Sequence, residues 1–130
     1  MPKDAASGIL IQKQLRGREL LVGLKQDATF GPVIVCGYGG TYTELWKDTA
    51  QTLAPLTPDQ AHDLLSSLRS FPLLTGYRGE PAVDLEALVR VMVNLSKLAV
   101  AQPHLQELDI NPLIATPEGC WAVDARLIWR

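Results

Sequence analysis

Between Leu56 and Pro103 the spacing of apolar residues changes from a period near two to a period near 3.6, and after Pro103 it changes back. No other feature constrains the fold as much, because the two periods belong to strands and helices. Thr57-Pro58-Asp59-Gln60 opens the helical stretch. Thr57 suits the N-cap, Pro58 suits the first helical position, and Gln60 completes a capping box. Ala61, Leu64, Leu65 and Leu68 then share a face, and the helix is expected to end near Ser70, ahead of Phe71-Pro72. FPLLTGYRGEP reads as a loop broken by Gly76, Gly79 and Pro81. Asp84 caps a second, longer helix running to about Gln102. Its apolar face carries Leu85, Leu88, Val89, Met92, Leu95 and Ala99, and Pro103 stops it.

Strand patterns flank these helices. Gly8 to Leu15 and Arg18 to Lys25 are expected to form a hairpin around Arg16-Gly17, and Gln26 to Phe30 a loop. Pro32 to Gly37 is a short apolar run rich in β-branched residues, which suits a buried strand. GYGG, Gly37 to Gly40, follows, and TYTELWKDTAQTLAP then holds one or two more strands. Strands, two helices and strands again predict an α+β fold: a mostly antiparallel sheet with two main helices packed on one face, spanning residues 1–130 as a single domain.

Composition removes several function classes. At 130 residues and 47% hydrophobic, the chain can build one real core, which argues against disorder. Its net charge of −2, with no basic cluster interleaved with aromatics, gives no support to nucleic-acid binding. No apolar run reaches the roughly 18 residues of a membrane span, and MPKDAASG lacks the regions of a signal peptide. Cys36 and Cys120 both fall in expected strands, so reduced thiols and a cytoplasmic setting are expected.

The closing stretch, QELDINPLIATPEGCWAVDARLIWR, reads as two strands. Leu108, Ile110 and Ile114 share one face by alternation, with Asp109 and Asn111 on the other. Trp121, Val123, Ala125 and Leu127 share a face opposite Asp124 and Arg126. If both apolar sets meet one core, a two-residue turn at Pro117-Glu118 sets Asn111 opposite Asp124 and Asp109 opposite Arg126. A register with Gly119 as a bulge would instead turn Asp124 toward the core, which is costly for a carboxylate. The polar face then has two readings. Two carboxylates and an amide oxygen at cross-strand distance suit a hard cation such as Mg²⁺. Alternatively, the face is simply solvated and carries an Asp109–Arg126 pair.

LDINPLI, Leu108 to Ile114, followed by VDAR, Val123 to Arg126, resembles the carboxy-terminal part of the ATP-grasp domain of NDP-forming acyl-CoA synthetases. These are the ADP-forming acetate–CoA ligases and the related succinyl-CoA synthetase β chain. ILIQKQLRGRELLVGLKQDATFGPVIVCGYGG resembles that family's strand pair and glycine loop, and PLTPDQAHDLLSSLRSFPLLTGYRG its helical insertion. The resemblance runs from about Gly8 to Trp129. It implies Mg²⁺ and ATP as cofactors, with Asn111 and Asp124 as magnesium ligands and Asp109 near the nucleotide and metal. It also implies nucleotide-cleft roles for Glu19 and Glu44, while Gly39 and Gly40 belong to the glycine loop. The amino-terminal ATP-grasp portion and the CoA-binding modules of the family lie beyond this chain and are its expected partners. No catalytic residue is assigned. Lys13 stands where the family has an acidic residue.

The resemblance leaves a second possibility. The same module occurs fused to an acetyltransferase domain in bacterial protein-lysine acetyltransferases, where it is regulatory or degenerate. A third is a stand-alone interaction domain, with exposed sheet edges driving a homodimer. Elsewhere, GYGG reads either as a backbone cradle for phosphate or as a tight turn, and it lacks the GK[ST] ending of a P-loop. Tyr38, Tyr42 and Trp46 read as packing residues, His62 and His104 as surface positions, and Lys47, close to Glu44 and Asp48, either as a phosphate contact or as a solvated charge. Arg78, in a glycine-flanked loop, is either an anion contact or simply exposed.

Overall fold

Strand β1 (Arg18–Asp27) lies inside the sheet, with Leu20, Val22 and Leu24 buried at alternate positions. The computed structural model describes residues 8, 9, 11, 16–39 and 48–130. β1 pairs antiparallel with β2 (Gly31–Tyr38) on one side and with β4 (Leu105–Thr116) on the other. At the β1–β2 turn the Asp27 carboxylate accepts from the amides of Thr29 and Phe30 at 2.8 and 2.9 Å. Those bonds, Phe30 foremost, hold its pKa below the ordinary carboxylate value. β3 (Thr49–Leu53) adds to β2, and β5 (Gly119–Ala122) and β6 (Ala125–Trp129) both pair with β4. The order is β3-β2-β1-β4, with β5 and β6 sharing the outer edge of β4, and every ladder is antiparallel.

β1 therefore has both edges paired at Leu20 and from Val22 to Lys25. The expected hairpin of this segment with Gly8–Leu15 is replaced by the β1–β2 hairpin and the long-range β1–β4 ladder. Leu10 and Gln12–Leu15 lie outside the described residues, as do Lys13, Tyr42, Trp46 and Lys47.

Helix α1 (Pro58–Ser66) starts where the sequence places it. The Gln60 amide donates to Thr57 Oγ1 at 3.2 Å, and the Thr57 amide donates to Gln60 Oε1 at 2.9 Å. The helix stops four residues early. The Ser66 and Ser67 hydroxyls bond the carbonyls of His62 and Leu64, each at 2.6 Å. Asp48 then captures the amides of Arg69 and Ser70 at 2.8 Å each, drawing the chain out of the helical path. Asp48 is thus a buried anchor. Burial works to raise its pKa, while the Ser70 side chain and the two amides outweigh burial and lower it.

One helical turn, α2 (Phe71–Leu74), occupies part of the expected loop and buries Leu74 fully. Beyond it, Gly76 and Gly79 take φ of 104° and 82°, backbone that favours glycine. α3 (Leu85–Ala101) follows, capped by Asp84, which accepts from the Ala87 amide at 3.0 Å. Leu88, Met92, Leu95 and Ala99 join Leu64 and Leu65 of α1 and Leu20, Val22, Leu24, Ile34 and Cys36 of the sheet in one core. Inside it the buried Ser96 hydroxyl accepts from the Leu56 amide at 3.0 Å and donates to the Val93 carbonyl at 2.7 Å. Among the described residues the helices thus cover one face of the sheet only. Cys36 and Cys120 are both free thiols, and burial pushes them up to about 12 and about 11. Among the described residues no helix is long and apolar enough to cross a membrane.

Candidate functional site on the open sheet face

The site forms where the closing hairpin loses its regular alternation. β4 contains Pro112, which has no N–H to give to a ladder. Opposite it the β1 register shifts between Leu20 and Val22, so Leu21 has no Cα partner in β4. The outer strand divides at the same level into β5, opposite Leu113–Thr116, and β6, opposite Leu105–Ile110. Two backbone bonds carry the hairpin across the break. The Asn111 amide donates to the Asp124 carbonyl at 3.1 Å, and the Val123 amide donates to the Pro112 carbonyl at 3.1 Å.

The break reverses the faces. Before it, Leu108 and Ile110 point to the helices; after it, Leu113 and Ala115 do. Ile114, expected beside Leu108 and Ile110, is turned to the other face. It is 6% exposed yet stands outside the helix-side core, between Glu19 of β1 and Trp121 of β5. The register expected from a Pro117-Glu118 turn holds throughout β5, with Thr116 opposite Gly119 and Leu113 opposite Ala122. It holds in β6 from Ala125 to Ile128, where Asp109 lies opposite Arg126, and shifts only at the end, between Leu105 and Glu107. The expectation that Trp121, Val123, Ala125 and Leu127 all pack on the core does not hold: Val123 is 58% exposed and Leu127 47%.

Asp109, Asn111, Asp124 and Arg126 converge with Leu21 and Ala125 around an open cavity of about 370 Å³. A second depression of about 230 Å³ continues from it across Leu21, Gly23, Lys25, Val35 and Glu107, sharing Asp109. Arg126 Nη2 donates to Asp109 Oδ2 at 3.1 Å and to Glu107 Oε2 at 3.4 Å. With the arginine side chain 69% exposed, these pairs are worth no more than about 1 kcal/mol each. Gly23 supports Asp109 from below, since a Cβ there would sit 3.0 Å from Asp109 Oδ1 and 2.7 Å from the Leu108 carbonyl oxygen. The side chains of Asn111 and Asp124 make no hydrogen bond or ion pair with other described residues.

This donor set fits a hard cation of a particular kind. Among the described residues no group of three or more His, Cys, Asp or Glu side chains could hold a metal ion by itself. Mg²⁺ is usually bound through one or two carboxylates, with waters and substrate phosphates completing the octahedron. Asp124 and the Asn111 amide oxygen are available for that role, and Asp109 has Oδ1 unpaired.

The remaining expected site residues stand apart. Glu19 is exposed and does not line the cavity. The Gly39 amide donates to the Glu19 carbonyl at 2.7 Å, and a Cβ on Gly39 would come within 3.2 Å of the Glu19 backbone, so its N–H is already engaged. Gly40 and Glu44 lie outside the described residues. Sequence reasoning passed over Leu21, Gly23 and Glu107. Gly23 carried a signal, because an isolated glycine inside an apolar strand marks a close approach of backbone or ligand.

An ATP-grasp domain model matches residues 1–128. The chain belongs to the ATP-grasp family. The β subunit of ADP-forming acetate–CoA ligase I from Pyrococcus furiosus is 39% identical over 122 residues, 93% of this chain and 53% of that protein. ADP-forming acetate–CoA ligase I from Archaeoglobus fulgidus is 38% identical over 129 residues, 98% of this chain and 19% of that protein. Among solved structures, dinucleotide-forming acetyl-coenzyme A synthetase 1 of Korarchaeum cryptofilum, in complex with coenzyme A and Mg-AMPPCP, superposes with a TM-score of 0.85. It is 39% identical, with 90% of this chain and 55% of that chain covered. The ATP-grasp chain described here thus spans about half of the β-subunit relative and about a fifth of the longer ligase.

Proposed function

We propose that residues 1–130 form one domain, the Mg²⁺–nucleotide-holding carboxy-terminal subdomain of an ADP-forming acyl-CoA ligase. The overall reaction would join a carboxylic acid to CoA with conversion of ATP to ADP and phosphate. The observation that carries this reading is the Asn111–Asp124 pair. Its backbone is locked across the hairpin break at 3.1 Å, while its side chains open into a cavity shared with Asp109 and Arg126. In this reading Asn111, Asp124 and Asp109 hold the cation, and Glu19, Gly39, Gly40 and Glu44 belong to the surrounding nucleotide cleft.

The bound Mg²⁺ would neutralise phosphate charge as the terminal phosphoryl group leaves. This chain's own part is to fix the oxygen donors on a rigid sheet. Asp109 and Asn111 stand on β4 and Arg126 on β6, while Asp124 lies in the short link between β5 and β6, held to β4 by the Asn111–Asp124 and Val123–Pro112 backbone bonds. The other ATP-grasp portion and the CoA-binding modules would come from elsewhere in the parent assembly, so the isolated chain is expected to be inactive as a ligase.

Calorimetric titration with Mg²⁺ and ATP, on this chain and on Asp124→Ala, tests the reading. Mg²⁺-dependent binding that disappears in the variant is the expected outcome. Binding that survives in the variant would remove the closing hairpin from the metal site.

A further inference from the structure

We propose that Arg126 is the anion-binding side chain of this site, directed at phosphate oxygens, and that Glu107 is the residue that positions it. The proposal rests on the reading that Asn111 and Asp124 hold a divalent cation, and it adds the group that recognises the anion beside that cation.

Among the described residues, Arg126 is the one cationic side chain lining the cavity formed by Asp109, Asn111 and Asp124. A guanidinium carries five N–H donors in a planar fork that matches the oxygens of a phosphate. Here a single nitrogen, Nη2, makes both ion pairs, to Asp109 Oδ2 at 3.1 Å and Glu107 Oε2 at 3.4 Å. The rest of the fork remains for a ligand. The two carboxylates aim the group without using it up.

Glu107 is well placed for this role. It sits on β4 opposite Lys25 of β1 and two residues before Asp109, on the same side of the sheet. It lines the depression that continues from the cavity but is absent from the cavity wall, so it steadies Arg126 from outside the space the ligand would fill.

The pairing also links the two ligands. While Arg126 holds Asp109 Oδ2, that oxygen is unavailable to a cation. Exposed ion pairs of this type are weak, so a phosphate bearing two or more charges draws the guanidinium away at small cost. Asp109 is then released toward the cation beside Asn111 and Asp124. Anion and cation should therefore strengthen each other's binding, with Arg126 as the link.

Inorganic tripolyphosphate and Mn²⁺ are suitable probes, followed by calorimetry and by the Mn²⁺ electron paramagnetic resonance signal. The variants are Arg126→Gln, Arg126→Lys, Glu107→Gln and Asp124→Asn, each checked for folding by its thermal melt. The expected pattern is selective. Arg126→Gln should weaken tripolyphosphate binding by about 10- to 100-fold, the loss of a hydrogen-bonded charge. It should leave Mn²⁺ alone bound as well as before or better, because a competing positive charge has gone. It should also abolish the mutual strengthening. Arg126→Lys should restore part of the anion affinity, and Glu107→Gln should weaken the anion without affecting Mn²⁺.

The proposal is overturned if Arg126→Gln binds tripolyphosphate within about twofold of the unmodified chain, or if it loses Mn²⁺ and the anion in equal proportion. It is also overturned if the unmodified chain binds no tripolyphosphate with or without Mn²⁺. Failure of the underlying metal reading looks different: Mn²⁺ fails to bind, or binds Asp124→Asn unchanged. The comparison of the unmodified chain with Arg126→Gln in metal-free tripolyphosphate then decides the arginine by itself.

Discussion

Leu108 and Leu127 face each other across the β4–β6 ladder, on the same side of the sheet, in strands with the same alternating pattern. Leu108 is 8% exposed and Leu127 is 47% exposed. The difference lies in what stands above them. Leu108 belongs to the core that α1 and α3 close over, whereas β6 projects past the helices and exposes all five of its residues. Alternation states which way a side chain points. It does not state whether anything covers it.

The largest effect that could break this comparison is in the core. Leu108→Ala should cost about 2–5 kcal/mol in urea unfolding, and Leu127→Ala under about 1 kcal/mol. Equal costs would mean that the β6 face is covered in solution. A concentration-dependent melting temperature for the unmodified chain, lost in the Leu127 variant, would identify a second copy as the cover.

A smaller effect contrasts two carboxylates, the buried Asp48 and the exposed Asp124. Asp48→Asn should lose roughly 1.5–3 kcal/mol at neutral pH, the range for hydrogen bonds to a charged group. The sign with pH follows from the lowered pKa of Asp48. Its contribution is fully present above the unfolded value of about 3.9 and disappears as pH falls through the lower folded value. Unfolding curves from pH 7 to pH 2 should therefore converge for the unmodified chain and Asp48→Asn in acid. A constant gap down to pH 2 would remove the ionised carboxylate as the cause.

The smallest effect sharpens the account of the site. Arg126→Gln should change stability by less than about 1 kcal/mol, because both of its ion pairs are solvent-exposed. A larger loss would make Arg126 part of the framework, and any change in anion binding would then need the Lys variant to interpret it.

Most of the secondary structure could be read from local rules. The Thr57 capping box, the Asp84 cap and the Pro103 stop all appear where the sequence puts them, since each involves residues a few positions apart. The terminal register followed from the two-residue turn and the cost of burying Asp124, and it brought Asn111 to Asp124 and Asp109 to Arg126. The early end of α1 was not legible. It is imposed by Asp48, which is 21 and 22 positions away from the amides it binds. The partner of β1 was also misplaced, because its second edge is filled by β4 from the far end of the chain.

The sequence by itself determined the periods, the caps and the pairing of the last two strand segments, because these depend on neighbours in the chain and on the alternation of side chains. Only the tertiary structure decided that Ile114 leaves the helix side at the Pro112 break, that Gly23 makes room under Asp109, and that β6 stays uncovered. Each of these depends on which distant segment lies across a ladder or above a face, and alternation in a single strand carries no record of that.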